Sequence, residues 1–206
     1  MSGHFITIEG SEGVGKTTNI NFIREYLEGK KLKVTVTREP GGSKLAEEVR
    51  ALLLNHRQDD MADDAELLLM FAARAEHLHK VIRPALKRGE WVISDRFTDA
   101  TYAYQGGGRG ISMERIAQLE NWVQGGVRPE LTLLLDAPVS VGLKRVGKRG
   151  ELDRFEKEKS DFFERVRNTY LERARILPQR FRVIDATCPL EEVQSQIKTS
   201  LDDFFK

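Results

Sequence analysis

Cysteine is nearly absent from this sequence, because Cys188 is the only one in 206 residues. A single cysteine can form neither a disulfide framework nor a cysteine cluster for zinc. Long apolar runs are also missing, since none approaches the roughly 18 residues that span a bilayer. The N-terminus, MSGHFITIEG, lacks a basic region followed by an apolar one. These absences predict a cytoplasmic protein without a membrane partner.

An excess of charge of either sign is missing as well. The chain has 33 basic and 32 acidic residues, so its net charge is +1 at pH 7. We therefore expect no nucleic-acid partner, and any basic site must be local. A chain of 206 residues fits one domain, because a single hydrophobic core serves up to roughly 250 residues. We predict one domain over residues 1–206.

Strand-like and helix-like patterns alternate along the chain, which predicts an α/β fold with a five-stranded parallel sheet and helices on both faces. The predicted strands are residues 4–9, 33–37, 91–95, 131–136 and 181–185. Helical patterns cover residues 16–27, 43–54, 63–88, 112–124, 139–146, 159–177 and 189–205. Ligands of such folds collect at the carboxyl ends of the strands, where Glu9, Asp95 and Asp136 lie.

The turn between the first strand and the first helix carries a phosphate-binding motif. Residues 10–17, GSEGVGKT, fit G-x-x-x-x-G-K-[ST] at every fixed position. The glycines let backbone N–H groups surround phosphate oxygens, Lys16 adds a positive charge, and the Thr17 hydroxyl suits Mg²⁺. We expect a bound nucleoside triphosphate to contact Gly10, Ser11, Glu12, Gly13, Val14, Gly15, Lys16, Thr17 and Thr18.

Two motifs that would indicate other classes of phosphate-loop protein are missing. The guanine-reading N-K-x-D of GTPases does not occur, and strand 91–95 ends in Asp95-Arg96 rather than the Asp-Glu of motor-type ATPases. An arginine at this point is a bidentate phosphate ligand, which suits an acceptor that is itself a phosphate. The alternative for Arg96 is a structural ion pair. Asp95 is placed to hold a magnesium-bound water or to orient the acceptor.

Residues 146–158, VGKRGELDRFEKE, form a basic segment between two helical patterns. We predict that this covering segment closes over the site and brings Lys148, Arg149 and Arg154 to the phosphates. Such a cover would exclude water and stabilise the charge that spreads over the transferring phosphoryl group. The alternative is a solvated helix start with alternating charges.

The helical pattern 63–88 carries a candidate base-binding pair. Phe71 and Arg74 are three residues apart and therefore share a helix face. An aromatic face with a fork of donors suits a planar base with carbonyl oxygens, although a core phenylalanine beside a paired arginine has the same spacing. TYAYQ, residues 101–105, adds hydroxyl, aromatic and amide groups after a strand. These groups suit either a small polar ligand or the cap of a loop.

The same helical pattern contains five consecutive apolar residues, 67–71, which wrap more than one helix face. One face can pack on the sheet and another on a second subunit. We therefore predict a homodimer formed through residues 43–54 and 63–88. The alternative is that the chain covers this helix by itself.

Several characteristic stretches occur together in a fixed order: GSEGVGKTT, REPGGS, MFAAR, DRF with TYAYQGGGR, and GELDRFE. From residue 5 to about residue 185 the chain thereby resembles bacterial thymidylate kinases. The resemblance implies a nucleoside-monophosphate-kinase fold with three layers, a homodimer, and the reaction ATP + dTMP to ADP + dTDP with Mg²⁺. The alternatives are a deoxynucleoside kinase, another nucleoside monophosphate kinase, or a slowly hydrolysing ATPase switch.

The resemblance also implies which residues contact dTMP. They are Glu12, Arg38, Glu39, Pro40, Phe71, Arg74, Arg96, Thr101, Tyr104 and Gln105. Within this set, Phe71 would stack on the thymine, Arg74 would bond its polar edge, and Arg96 would grip the acceptor phosphate. Tyr104 would lie near the sugar and disfavour a 2′-hydroxyl, and Glu12 would approach the 3′-hydroxyl.

In this family the catalytic arginine comes either from the phosphate loop or from the covering segment. The loop here has no arginine, whereas the covering segment is basic, so the resemblance assigns that role to the segment. The predicted catalytic residues are Lys16, Asp95, Arg96, Arg149 and Arg154. The strand end reads DRF rather than DRY or DRH, and Phe97 therefore receives no role.

Overall fold

Five parallel strands form one sheet in the order β2-β3-β1-β4-β5. The structure is a computed structural model that describes residues 3–55, 60–147, 153–156 and 158–206. The strands are β1 (Phe5–Glu9), β2 (Val34–Arg38), β3 (Trp91–Asp95), β4 (Leu131–Asp136) and β5 (Phe181–Asp185). The predicted sheet is confirmed, with β1 beginning one residue later than expected and β2 shifted by one residue.

Helices connect the strands and cover the sheet. They are α1 (Lys16–Gly29), α2 (Lys44–Leu54), α3 (Asp63–His77), α4 (Arg83–Lys87), α5 (Thr98–Thr101), α6 (Met113–Gln124), α7 (Val139–Val146), α8 (Ser160–Ile176) and α9 (Leu190–Phe204). None of the helices in the described ranges has both the length and the apolar character to cross a membrane.

Both faces of the three central strands, β3, β1 and β4, are buried, as their apolar sequences predict. On one face, Ile23 of α1 and Ile197 of α9 pack against Ile8 and Leu133. On the other face, Tyr170 of α8 belongs to a second cluster, with Phe162 and Phe163 of the same helix. The sheet is therefore the middle of three layers, with its carboxyl edge left for ligands.

The predicted helix 63–88 is continuous, because α3 passes through a π-helical turn, Leu78–Ile82, into α4. Its later turns pack on the sheet, where Ile82 joins a buried cluster with Val92. Its earlier turns place Leu67 and Phe71 against Ile116 of α6. The chain therefore covers much of the apolar run by itself, although Leu68 is 56% exposed.

The segment after β3 is helical, which the sequence analysis did not predict. α5 continues into a π-helical stretch, Tyr102–Gly108, although the last three residues of that stretch are glycines. These glycines serve close packing, since a Cβ on Gly107 would lie 2.0 Å from Thr169 Oγ1 of α8. Residues that resemble a loop by composition are thus held in a helix by tertiary packing.

Three turns meet at the carboxyl edge of the sheet because β1, β3 and β2 are neighbours. The register pairs Ile8 of β1 with Asp95 of β3, and Asp95 with Arg38 of β2. The Glu39 amide donates to the Asp95 carbonyl oxygen at 2.9 Å, which extends this pairing by one residue. The phosphate loop, the Asp95-Arg96 turn and the REPGG turn therefore lie side by side.

Candidate active site

The phosphate loop, residues 10–17, is a tight turn between β1 and α1. Gly10, Gly13 and Gly15 have φ values of 136°, 72° and 90°, a region that disfavours residues with a side chain. Gly13 also lies against α7, because a Cβ there would be 2.2 Å from the Gly142 carbonyl oxygen. The loop ends at the N-terminus of α1, where Thr17 is exposed. This arrangement suits an anion held by backbone N–H groups.

Lys16 is folded back over the loop. Its Nζ donates to the carbonyl oxygens of Gly10 at 3.1 Å and Ser11 at 2.8 Å. Burial, followed by the charge of Arg96, lowers the pKa of Lys16. An ammonium group held by two carbonyl oxygens can exchange them for phosphate oxygens without leaving the loop.

Arg96 follows β3 in a left-handed backbone conformation, with φ of 66°. Such a conformation is uncommon for a residue other than glycine and is typical of functional sites. Glu9, at the end of β1, supports this turn: its carboxylate accepts from the Phe97 amide at 2.7 Å and from the Tyr170 hydroxyl at 2.8 Å. Burial and the neighbouring Asp99 raise the pKa of Glu9. Glu9 thus holds the turn mainly through hydrogen bonds.

Glu12 points away from the triphosphate side of the loop and towards Arg96 and Tyr104. The Tyr104 hydroxyl donates to Glu12 Oε1 at 2.8 Å and accepts from Arg96 Nη2 at 3.1 Å. Arg96 Nη2 also donates to Glu12 Oε1. Burial alone would raise the pKa of Glu12, but Arg96 and Lys16 outweigh it and lower the pKa to about 2. Glu12 is therefore ionised at neutral pH and links the phosphate loop to the neighbouring cavity.

A cavity of about 190 Å³, the acceptor cavity, opens beside the phosphate loop. It is lined by Glu12, Glu39, Pro40, Arg50, Leu54, Met70, Arg74, Arg96, Phe97, Ala100, Thr101, Tyr104, Gln105, Asp153, Phe155 and Glu156. Eight of the ten predicted dTMP contacts are thus brought to one place: Glu12, Glu39, Pro40, Arg74, Arg96, Thr101, Tyr104 and Gln105. Apolar walls with a few convergent polar groups are typical of a small-molecule site.

Arg74 is the most constrained cation of the acceptor cavity. Its Nε donates to Glu39 Oε2 at 2.7 Å and its Nη2 to Thr101 Oγ1 at 2.9 Å. His77 Nδ1 lies 2.8 Å from the other Glu39 oxygen. Arg74 Nη1 is buried and has no hydrogen-bond partner among the described residues. A buried donor without a partner is costly, so this N–H group is available to a ligand.

Two predicted dTMP contacts do not line the cavity in the part of the chain that the structure describes. Phe71 is 2% exposed and packs with Leu67, and the Arg74 guanidinium lies over its ring, 4.8 Å from the centroid. Arg38 turns outward and pairs with Glu47 at 2.9 Å. The physical reasons are the core position of Phe71 in α3 and the exposed face of β2 on which Arg38 lies.

The covering segment is only partly described, and Lys148 and Arg149 lie outside the described residues. Arg154 was expected at the phosphates, but its guanidinium donates to the Leu53 carbonyl oxygen at 2.8 Å and to Glu66 Oε2 at 2.6 Å. In this structure a buried carboxylate holds Arg154 on the acceptor side, and its role at the phosphates stays a prediction. Phe155 of the same segment lines the cavity.

Two further residues belong to the site and were missed. Arg50 of α2 lines the cavity, and its Nη1 donates to the Pro40 carbonyl oxygen at 2.8 Å. Nothing in the sequence separates it from a solvated helix arginine. Glu66 is fully buried in α3 and binds Gln105, Arg109 and Arg154. The sequence did contain a signal for Glu66: a glutamate directly before five apolar residues is expected to be buried, and a buried carboxylate needs basic or hydrogen-bonding partners.

Magnesium would have to be held with help from the nucleotide. The described residues contain no group of three or more His, Cys, Asp or Glu side chains that could hold a metal ion. Asp95 Oδ1 is buried and has no hydrogen-bond partner there, and Thr17 is exposed at the start of α1. Mg²⁺ commonly takes one or two protein oxygens and completes its shell with phosphate oxygens and water. Thr17 and Asp95 fit that role.

Comparison with known proteins identifies the family. The family model described as thymidylate kinase matches residues 8–197. The chain belongs to the thymidylate kinase family. The thymidylate kinase of Pseudomonas putida strain GB-1 is 60% identical over 201 residues, which cover 98% of this chain and 96% of that protein. The thymidylate kinase of Pseudomonas syringae pv. tomato strain DC3000 is 55% identical, covering 100% and 98%.

A solved thymidylate kinase has the same fold. The crystal structure of the enzyme from Ehrlichia chaffeensis matches with a TM-score of 0.79 at 35% sequence identity. The match covers 98% of this chain and 99% of that one. Family membership and the five-stranded parallel α/β fold are therefore confirmed, and the resemblance seen in the sequence was correct.

Proposed function

We propose that this thymidylate kinase family member transfers the γ-phosphoryl group of ATP to the phosphate of dTMP, giving dTDP and ADP. The observation that carries the proposal is the acceptor cavity beside the phosphate loop. Arg96 lines the cavity and pairs with Glu12 of the loop, and Arg74, which also lines the cavity, has a buried Nη1 without a hydrogen-bond partner among the described residues. A water-attacking ATPase needs neither feature.

Arg96 and Arg50 are proposed to hold the acceptor phosphate. Both line the cavity, and both carry the fork of donors that matches a phosphate. Glu12 and Tyr104, which bind Arg96 in this structure, are proposed to face the deoxyribose. A ribose 2′-hydroxyl would then meet the packed Tyr104 ring, which favours a deoxynucleotide.

The base is proposed to bind at the Arg74 end of the cavity. Arg74 Nη1 would donate to the thymine O4, while Thr101 and Gln105 complete the polar edge. Phe71 stays a prediction as a stacking partner, because its ring lies against the Arg74 guanidinium. One methyl group discriminates by only about 1–3 kcal/mol, so dUMP should be a poor substrate and dCMP a worse one.

ATP is proposed to occupy the phosphate loop with Mg²⁺ near Thr17 and Asp95. When bound, the ion would neutralise charge on the outer phosphates and orient them. Lys16 would exchange its two carbonyl partners for phosphate oxygens. In-line transfer needs the acceptor phosphate to face the γ-phosphate, and Arg96 lies between the two sites. We assign Arg149 of the covering segment to transition-state charge and Arg154 to docking of that segment.

A homodimer through α2 and α3 is also proposed. Leu45 of α2 is 52% exposed and Leu68 of α3 is 56% exposed, and Trp122 of the adjoining α6 is 82% exposed. Exposed apolar side chains on neighbouring helices are typical of an interface. Light scattering at micromolar protein should give twice the chain mass, and Leu68→Glu should lower it towards the monomer. A monomeric wild-type protein would refute the dimer.

An acceptor panel tests the proposed reaction. With ATP and Mg²⁺, ADP release should rise steeply with dTMP and remain near background with thymidine or with no acceptor. Rapid release with thymidine would favour a deoxynucleoside kinase, and acceptor-independent release would favour an ATPase switch. The expected order of kcat/KM is dTMP, then dUMP, then dCMP. Comparable use of dCMP would refute the assignment of the base.

A further inference from the structure

Glu66 is a fully buried carboxylate that does not line the acceptor cavity but binds a residue that does. Its Oε1 accepts from Gln105 Nε2 at 2.7 Å and from Arg109 Nε at 3.4 Å. Its Oε2 accepts from Arg154 Nη2 at 2.6 Å and from Arg109 Nη2 at 3.3 Å. The shortest contacts therefore differ between the two oxygens: Oε1 faces the Gln105 amide and Oε2 faces the Arg154 guanidinium, while Arg109 lies across both.

This contact determines how the Gln105 amide is turned. An ionised carboxylate only accepts hydrogen bonds, so the Gln105 nitrogen, which only donates, must face Glu66. Gln105 is 1% exposed and lines the acceptor cavity, so its amide has no freedom to reorient in solvent. With the nitrogen bound to Glu66, the carbonyl oxygen is the polar end left for the cavity.

We propose that Glu66 is a positioning residue that determines base specificity by fixing Gln105 with its carbonyl oxygen towards the base. The inference deepens the proposed function and rests on it. Arg74 Nη1 then supplies a donor and Gln105 an acceptor. Thymine and uracil present a carbonyl oxygen next to an N–H group, whereas cytosine presents an amine next to a bare nitrogen. The pair matches the first pattern at both atoms and the second at neither.

The two arginines make this orientation depend on the carboxylate. If Glu66 is replaced by glutamine, the new amide should turn its oxygen towards Arg109 and Arg154, because its nitrogen cannot accept from guanidinium groups. Its nitrogen would then face Gln105. Two donors cannot pair, so the Gln105 amide should flip and present its own nitrogen to the cavity. The base would then face a hydrogen-bond donor of Gln105 instead of a hydrogen-bond acceptor.

The decisive measurement is the ratio of kcat/KM for dTMP to kcat/KM for dCMP, with ATP saturating. For Glu66→Gln we expect this ratio to fall at least about tenfold, the effect of one mismatched buried hydrogen bond. Both substrates are measured on one preparation, so any loss of folded protein cancels. A purely structural role for Glu66 would lower both values together, and an unchanged ratio would overturn the inference.

Glu120→Gln is a matched control. Glu120 is also a buried carboxylate, accepting from the Tyr102 hydroxyl at 2.6 Å and paired with Arg128 at 2.6 Å. It touches the same helical segment as Glu66, but it does not line the acceptor cavity. Its substitution should leave the dTMP-to-dCMP ratio within about threefold of wild type. A fall as large as that of Glu66→Gln would overturn the inference.

The exchange variant Glu66→Gln/Gln105→Glu supplies a rescue. It conserves the charge and volume of the cluster and again offers an acceptor to the cavity, so the preference for dTMP should return towards wild type. An exchange variant that folds but does not prefer dTMP would overturn the inference, even if the single variant did not fold. Failure of the proposed function is distinguishable, because wild-type enzyme would then release no ADP in response to dTMP.

Discussion

The two ends of the acceptor cavity are built differently, although each centres on an arginine paired with a glutamate. The Arg74 end of the cavity is proposed to bind the base and is called the base end; the Arg96 end is proposed to bind the phosphate and is called the phosphate end. At the base end, the side chains of Arg74 and Glu39 are only 3% and 4% exposed. At the phosphate end, those of Arg96 and Glu12 are 19% and 18% exposed. Among the described residues, Arg74 Nη1 has no hydrogen-bond partner, whereas Arg96 already binds Glu12 and Tyr104. The end proposed to bind the base is therefore preformed, whereas the end proposed to bind the phosphate would have to exchange partners.

The largest expected effect comes from the phosphate end. Arg96→Met should lower kcat/KM for dTMP by roughly 10³-fold, because a charged bidentate ligand of the transferring group is lost. Steady-state kinetics with the acceptor varied would measure it. Arg88→Met is the matched control, since Arg88 is exposed and pairs only with Glu90 among its described ion pairs, and it should behave as wild type. Near-normal activity of Arg96→Met would show that the phosphate end is structural.

The base end should give the next largest effect. Arg74→Lys keeps the positive charge beside Glu39 but loses the fork that reaches Thr101 and the base, so kcat/KM for dTMP should fall about 10- to 100-fold. The loss should appear mainly in the KM for dTMP, with the KM for ATP unchanged. An equal rise of both KM values would show that the base end is not a separate template.

Glu12 tests whether the phosphate loop also serves the second substrate. Glu12→Ala should raise the KM for dTMP about tenfold, because Arg96 and Tyr104 lose the carboxylate that orients them. The KM for ATP should change less than the KM for dTMP. If neither KM nor kcat changes, Glu12 has no role in binding dTMP, and its pairing with Arg96 does not distinguish the phosphate end from the base end.

The smallest effect is a dependence of stability on pH. The pKa of Glu12 is about 2 in the folded protein against an ordinary 4.5, so its pairing stabilises the fold above pH 4.5. That contribution should be lost as pH falls through this range towards 2. Urea unfolding of wild type and Glu12→Gln should give a constant difference in unfolding free energy above pH 5 and a shrinking one below. A difference that grows towards acid would contradict the assigned pairing.

Much of the fold could be predicted because its signals are local. The strands are short apolar runs, and the phosphate loop has invariant spacing, so neither depends on distant residues. The helix at residues 98–108 could not be predicted, since its glycines disfavour a helix and are explained by close contacts with α6 and α8. Propensity is overridden wherever close packing decides the backbone.

For the candidate site, the directions in which side chains point could not be predicted from the sequence. Arg38 and Arg50 are both basic residues near the REPGG turn, but Arg50 faces the cavity and Arg38 faces solvent. Arg154 looks catalytic by its position in a basic segment, and only the fold reveals the buried Glu66 that binds it. Residue type and spacing identified the chemistry of the site, whereas partner choice required the three-dimensional arrangement.

The contact between Gly107 and α8 makes catalysis sensitive to a position that carries no functional group. A single added methyl at Gly107 would meet Thr169, and the next residue, Tyr170, binds Glu9, which in turn supports the Arg96 turn. Displacing α8 would therefore disturb the turn that holds Arg96. Gly107→Ala should therefore lower kcat/KM for dTMP, measured as for Arg96→Met. A loss of activity on substitution of Gly107 would then reflect the position of Arg96, because glycine itself has no functional group.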